Sequence, residues 1–299
     1  MTSLAALKAK LEGMTGQLSN LTHWLKGTPF SIGLDVGSYS LKAVLLKQVG
    51  SELQWVQAVE QPLANSPKSQ QHSEAVQQLL GTLDCPEAKL VTAVGGAGTI
   101  LRPVLMPKMT PQELKTSLSF EAEKHIPFKL EEVFLDSSVL GERPGGRMEV
   151  LLAAARKDKV NEHLNLLTQA QALPSVVDLE PLALANAWEH YPAIEDSQVV
   201  VQIHVGARGT IFNFLKENQL QFSREASIGG AAFTQAIVEG LGLPFEKSEQ
   251  VKCQPSDQTE AVRSVLEPVW EQWGHQCHAS FDFYENQFGL KPEVLVLSG

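Results

Sequence analysis

Asp35, Gly37, Ser38, Tyr39 and Lys42 lie within SIGLDVGSYSLKAVLL, residues 31–46. An apolar run breaks at Asp-Val-Gly-Ser and resumes with alternating apolar residues, the pattern of strand, tight glycine turn and second strand. Such turns can present backbone N–H groups to a phosphate while a carboxylate holds a metal ion. Gly37, with no Cβ, lets the backbone approach a ligand closely. The same residues also suit a plain β-hairpin whose aspartate satisfies the turn's own N–H groups.

A second stretch bears on that choice. Residues 200–222 read VVQIHVGARGTIFNFLKENQLQF, and at an offset of 169 Val36-Gly37 falls on Val205-Gly206 and Leu46-Lys47 on Leu215-Lys216. With a two-residue deletion in the next turn, Leu53-Gln54 falls on Leu220-Gln221. Both copies read strand, glycine turn, strand, tight turn, strand. Two such hairpins from duplicated domains could face one another across a cleft and grip a phosphate chain from both sides, with Gly206 and Ala207 offering N–H groups in the second.

Other residues carry weaker signals. Gly229-Gly230 precedes a helical pattern and fits either a strand-to-helix turn or a ligand-facing backbone. Glu249 and Lys252 are spaced to pair on one helix face. His275, Cys277 and His278 resemble a metal cluster, but only the two histidines share a helix face and no fourth ligand is evident. Arg102, Arg143 and Arg147 form no motif.

These residues need a scaffold, and 299 residues suffice for two domains with a substantial core. A hydrophobic content of 43% and a charged content of 19% are those of a globular chain. The net charge of −10 argues against nucleic acid as a partner, because phosphodiester binding needs a basic footprint. No apolar run approaches membrane-spanning length and no signal-peptide core is visible. Three scattered cysteines fit a reducing cytoplasm better than a disulfide framework.

From residue 29 onward strands and helices alternate, an α/β chain with mixed sheets. Strands are expected at 30–36, 41–48, 53–60, 89–94, 133–140, 149–155, 175–179, 198–205, 210–216, 219–226 and 293–297. Helices are expected at 72–83, 111–125, 157–171, 181–189, 231–241, 245–252 and 259–288. The helix from Pro111 has clear start chemistry, with Thr110 as N-cap and Glu113 three residues on. Before residue 28, Leu4, Leu7, Leu11, Met14, Leu18, Leu21 and Leu25 form one helical stripe, interrupted in composition by Gly13 and Gly16. That segment suits a helix packed on the body, or one lying on a membrane surface or a partner helix.

The two glycine hairpins resemble the actin, Hsp70 and sugar-kinase superfamily. Within it the chain resembles PilM, the cytoplasmic actin-like protein of type IV pilus assembly. The stretches that carry the likeness are DVGSYSLKAV (35–44), FEAEKHIPFKLEEV (120–133), EVLLAAARKDKV (149–160), VVDLEPLALANA (176–187) and REASIGGAAFTQAI (224–237). FtsA is similar at the first loop but accounts less well for Ile126-Pro127-Phe128. The branch serving mannose-sensitive haemagglutinin pili, MshI-like, is one to which this copy could belong.

The resemblance implies an actin-like fold of two lobes with duplicated mixed sheets. Lobe I would cover 29–197 with an α/β subdomain inserted at about 90–178, and lobe II 198–299, after an N-terminal helix over 1–28. It implies ATP or ADP with Mg²⁺, weakly bound. Asp35 would belong to the magnesium shell, and Gly37, Ser38 and Tyr39 would contact the β and γ phosphates beside Lys42. Gly206, Ala207, Gly229 and Gly230 would serve the second turn, Glu249 and Lys252 the ribose, and Gly299 the adenine loop, which family members continue beyond this point. His204 stands where actin-like ATPases carry an aspartate. A neutral imidazole is a poor ligand for Mg²⁺, so binding without hydrolysis is expected.

The expectation is therefore a cytoplasmic scaffold, peripheral to the inner membrane, that docks the N-terminal peptide of a PilN-like membrane protein. An active FtsA-like ATPase is the alternative, and a sugar or acetate kinase a more distant one.

Overall fold

The computed structural model describes residues 28–50, 52–63, 69–188, 198–254 and 259–299. The expected helix over 1–28 lies outside the described residues except for Thr28. The chain divides into two compact units, one reaching Ala183 and the other Leu184–Gly299.

The first unit is built on a five-stranded sheet, order β3-β2-β1-β4-β8. Its strands are β1 (Phe30–Val36), β2 (Ser40–Val49), β3 (Glu52–Pro62), β4 (Lys89–Val94) and β8 (Val176–Leu179). β1, β2 and β3 form an antiparallel meander, while β4 and β8 run parallel to β1 and to each other. Alternation sends Ile32, Leu34, Leu41, Ala43 and Leu45 to one face. There they are buried against Val76 and Leu79 of α1 (Ser69–Gly81) and Leu167 of α3 (Lys157–Gln169).

A separate antiparallel sheet, order β5-β7-β6, comprises β5 (Thr99–Pro107), β6 (Val133–Arg143) and β7 (Arg147–Arg156). Helix α2 (Pro111–His125) covers it with Leu114, Leu118 and Ala122, which meet Met106, Met148, Val150 and Leu152. The start chemistry of α2 is as expected. Thr110 and Glu113 form a capping box, the Thr110 N–H donating to Glu113 Oε2 at 2.7 Å and the Glu113 N–H to Thr110 Oγ1 at 3.3 Å.

Strand β5 falls where no strand was expected. Pro103 and Pro107 demote this run in sequence, but β5 is an edge strand, so its missing N–H groups face away from the ladder.

The second unit carries a four-stranded sheet, order β11-β10-β9-β12. Its strands are β9 (Val200–Val205), β10 (Thr210–Lys216), β11 (Gln219–Ala226) and β12 (Val294–Ser298). Helices α5 (Gly230–Leu241), α6 (Phe245–Cys253) and α7 (Thr259–Phe288) follow, after α4 (Glu180–Trp188) at the junction of the units. Phe212 and Phe214 are buried beside Tyr284 of α7, whose ring stacks on Phe214 at 4.5 Å between centroids.

The duplication extends to residue register. Val36 pairs with Leu41 and Val205 with Thr210, each 169 residues apart, and β9 has a parallel neighbour in β12 as β1 has in β4. A register shift falls between Leu45 and Leu46 in one copy and between Phe214 and Leu215 in the other, again at that offset. The β2–β3 hairpin is longer than β10–β11 by the pairs Gln48–Leu53 and Val49–Glu52, so Trp55, not Leu53, corresponds to Leu220.

Candidate functional site

In the first unit, Asp35 and Lys42 are cross-strand partners at the end of the β1–β2 hairpin, with Lys42 Nζ 3.8 Å from Asp35 Oδ2. Gly37, Ser38 and Tyr39 make the turn between them. A Cβ at Gly37 would lie 2.6 Å from the Ser40 carbonyl, so this turn needs glycine. The Tyr39 carbonyl accepts the Leu63 N–H at 2.8 Å, and Ser40 Oγ donates to Glu60 Oε1 at 2.7 Å, which fixes the turn to β3. Asp35 and Ser38 remain exposed.

In the second unit, six of the expected residues come together. The turn after β9 closes with the Gly206 N–H donating to the Gly209 carbonyl at 2.9 Å. The start of α5 locks onto it: Gly230 N–H donates to the Gly206 carbonyl at 2.9 Å and Ala231 N–H to the Ala207 carbonyl at 2.8 Å. Gly229 is the N-cap, and a side chain there would collide with the Gly206 carbonyl and stand 2.8 Å from the Gly209 nitrogen.

Glu249 and Lys252 of α6 complete the cluster as a half-buried pair, Lys252 Nζ donating to Glu249 Oε2 at 2.7 Å. Lys252 also donates to Thr234 Oγ1 at 2.9 Å and to the Gly230 carbonyl at 3.3 Å. Thr234 Oγ1 in turn donates to Glu249 Oε2 at 2.5 Å. Partial burial pushes the Glu249 carboxyl upward, but the Lys252 and Thr234 hydrogen bonds and the lysine charge outweigh it and hold it below the usual range. The pair therefore ties α6 to the start of α5 and is not a solvated surface bridge.

Gly299 follows β12, and a Cβ there would strike the Val205 carbonyl, so it lies against the strand that ends in the second glycine turn. His204 pairs across that sheet with Ser298, its Nδ1 3.0 Å from Ser298 Oγ. The imidazole is thus part of the β9–β12 seam.

Set against a nucleotide, these residues fit in part. The close turns and the exposed Asp35 suit a phosphate and a water-bridged Mg²⁺. The N–H groups of Gly206, Gly230 and Ala231 are already spent on each other's elements.

Two features were not expected from the sequence. Glu180, first residue of α4 directly after β8, packs its carboxylate against Gly95 just beyond the end of β4. An acidic residue opening a helix straight after a strand was the available signal. Asp178, near the end of β8, has its carboxyl pushed up to about 6 by burial, with the nearby Asp136 charge adding to it. The segment around Ile126-Pro127-Phe128 is structural: Ile126 ends α2, is buried under the inserted sheet, and Arg156 lies over the Phe128 ring at 5.7 Å. On α7, Cys277 points into the core while His275 and His278 are exposed. Among the described residues no three His, Cys, Asp or Glu side chains group as metal ligands.

A family model described as type IV pilus assembly protein PilM matches residues 33–297. The chain belongs to the PilM family. Its structure is similar to a PilM–PilN type IV pilus biogenesis complex, with 27% sequence identity, 89% of this chain and 80% of that chain covered, and a TM-score of 0.79. The ethanolamine utilization protein EutJ from Carboxydothermus hydrogenoformans matches at 14% identity over 90% of this chain and 76% of its own, with a TM-score of 0.53, a likeness of fold alone. The PilM assignment and the duplicated sheets make the fold actin-like, with an inserted α/β subdomain, as the two glycine hairpins imply. PilM membership also places the chain among type IV pilus assembly proteins. No described helix is long and apolar enough to cross a membrane.

Proposed function

We propose that this chain is a cytoplasmic scaffold, peripheral to the inner membrane, in the assembly platform of a type IV or MSHA-type pilus. It holds the N-terminal cytoplasmic peptide of a PilN-like membrane protein. The observation that supports this most strongly is the likeness to a PilM–PilN complex over 89% of the chain. Capture of a short extended segment is a common mode of peptide recognition.

In the same reading ATP or ADP with Mg²⁺ is a weak structural ligand and not a substrate. Asp35, Gly37, Ser38, Tyr39 and Lys42 serve the phosphates and metal in the first unit, and the Ala207 turn is the corresponding phosphate-facing turn of the second. His204 in place of a carboxylate, engaged with Ser298, supports the absence of turnover, and the internal use of the Gly206, Gly230 and Ala231 amides supports weak binding. Phosphate release from ATP is expected to be negligible. Magnesium-dependent release that Asp35→Ala abolishes would favour an actin-like ATPase instead.

A further inference from the structure

The two glycine turns are alike in length but not in charge. Val36 pairs with Leu41 and Val205 with Thr210, so residues 37–40 and 206–209 correspond one to one. The first turn is flanked by the cross-strand pair Asp35 and Lys42, an acid and a base 3.8 Å apart. In the second the same two places hold His204 and Ile211, so that acid and that lysine are both gone. One cation has been added instead: Arg208 stands within the second turn, where the first has Tyr39.

The third strand keeps its acid in both copies. Lys42 pairs with Glu60, and Ile211 with Glu225. Glu60 accepts from Ser40 Oγ at 2.7 Å, while Glu225 Oε1 lies 3.0 Å from where a Cβ on Gly209, at Ser40's place, would stand. This glutamate braces the last residue of each turn, so it is common to both hairpins and does not distinguish the second. Among the described residues Arg208 forms no ion pair. The backbone adds donors beside it. The Gly206 N–H is spent within the turn, and those of Gly230 and Ala231 are spent on its carbonyls. The N–H groups of Ala207 and Arg208 donate to no acceptor among the described residues. Successive amides in a turn can form a concavity that takes an anion.

From this we infer that Arg208 is a phosphate-binding residue, and that the second turn holds a phosphate group of a nucleotide directly, with no metal ion between them. The inference rests on the reading of nucleotide as a structural ligand and deepens it. The first turn keeps the acid that suits a metal, and the second carries an arginine's charge instead. A planar guanidinium meets two phosphate oxygens at once, which an ammonium does not. It neutralises the phosphate without a carboxylate to orient an attacking water, so this turn binds and does not hydrolyse.

Calorimetry of the full chain with ATP, in Mg²⁺ and again in EDTA, tests it. ATP is expected to bind under both conditions, and Arg208→Gln to weaken it about tenfold or more in each. Arg208→Lys keeps the charge but not the planar fork, and is expected to fall between the two. Arg263→Gln, at an exposed arginine of α7, is expected to bind as the wild-type chain does. Circular dichroism checks that each variant is folded. Tripolyphosphate in EDTA separates the sources of the phosphate. Heat with the same Arg208 dependence supports a site that needs only the phosphate chain, and heat for ATP alone supports one that needs the nucleoside as well. ATP binding that vanishes in EDTA, that Arg208→Gln leaves unchanged, or that Arg263→Gln weakens equally overturns the inference while the nucleotide reading stands. No ATP binding under either condition overturns both.

Discussion

Asp178 is a half-buried carboxylate with its pKa raised from 3.8 to about 6, and that has a definite consequence for stability. A group whose folded pKa lies above its unfolded value favours the fold most at low pH. Its contribution is full below the unfolded value and is lost as pH rises through about 6. A rise of that size is worth at most about 3 kcal/mol. Urea unfolding of Asp178→Asn should therefore show the variant more stable than wild type at pH 7.5 and close to it at pH 4. Asparagine keeps the acceptor for the Leu179 N–H, which the aspartate now takes at 2.8 Å. At the other unit, Gly229→Ala forces a methyl group onto the Gly206 carbonyl. It should cost about 1–3 kcal/mol, as overpacking of a tight site does, and appear as a lowered melting temperature. The types and spacing of the glycines were legible in sequence because only glycine fits such turns. The Thr234 link between Glu249 and Lys252 was not, since its three members come from two helices whose packing no local pattern encodes.

Among the elements, α2 carries the clearest local signal. Thr110→Ala removes both the side-chain cap and its half of the capping box, and should cost about 1 kcal/mol in a thermal or denaturant melt. The elements that were legible share strong alternation or helical period with matching end signals, as β1, β2, β9 and α2 do. β5 was not legible because Pro103 and Pro107 argue against a strand locally and are tolerated only at an edge, a property of the assembled sheet. The same holds for the length of the β2–β3 hairpin. Both copies share the strand pattern, but the two extra pairs at Gln48–Leu53 and Val49–Glu52 emerge only from register. Helix α7 was legible across Pro268 because its apolar positions keep their period on both sides of the proline.

At the level of the whole molecule, one hairpin plan occurs twice, with bulges at matching positions in both sheets. This duplication, with the PilM match over residues 33–297, makes the chain a pilus assembly protein on an actin-like frame. What the two copies do not share is the acid: Asp35 in the first corresponds to His204 in the second. The scaffold account therefore asks for partner binding that does not depend on ATP hydrolysis. Titration calorimetry of the full chain with the N-terminal cytoplasmic peptide of a PilN-like protein encoded beside it tests that most directly. The account predicts saturable binding at micromolar peptide, unchanged in Asp35→Ala. The absence of heat for every such peptide would contradict it.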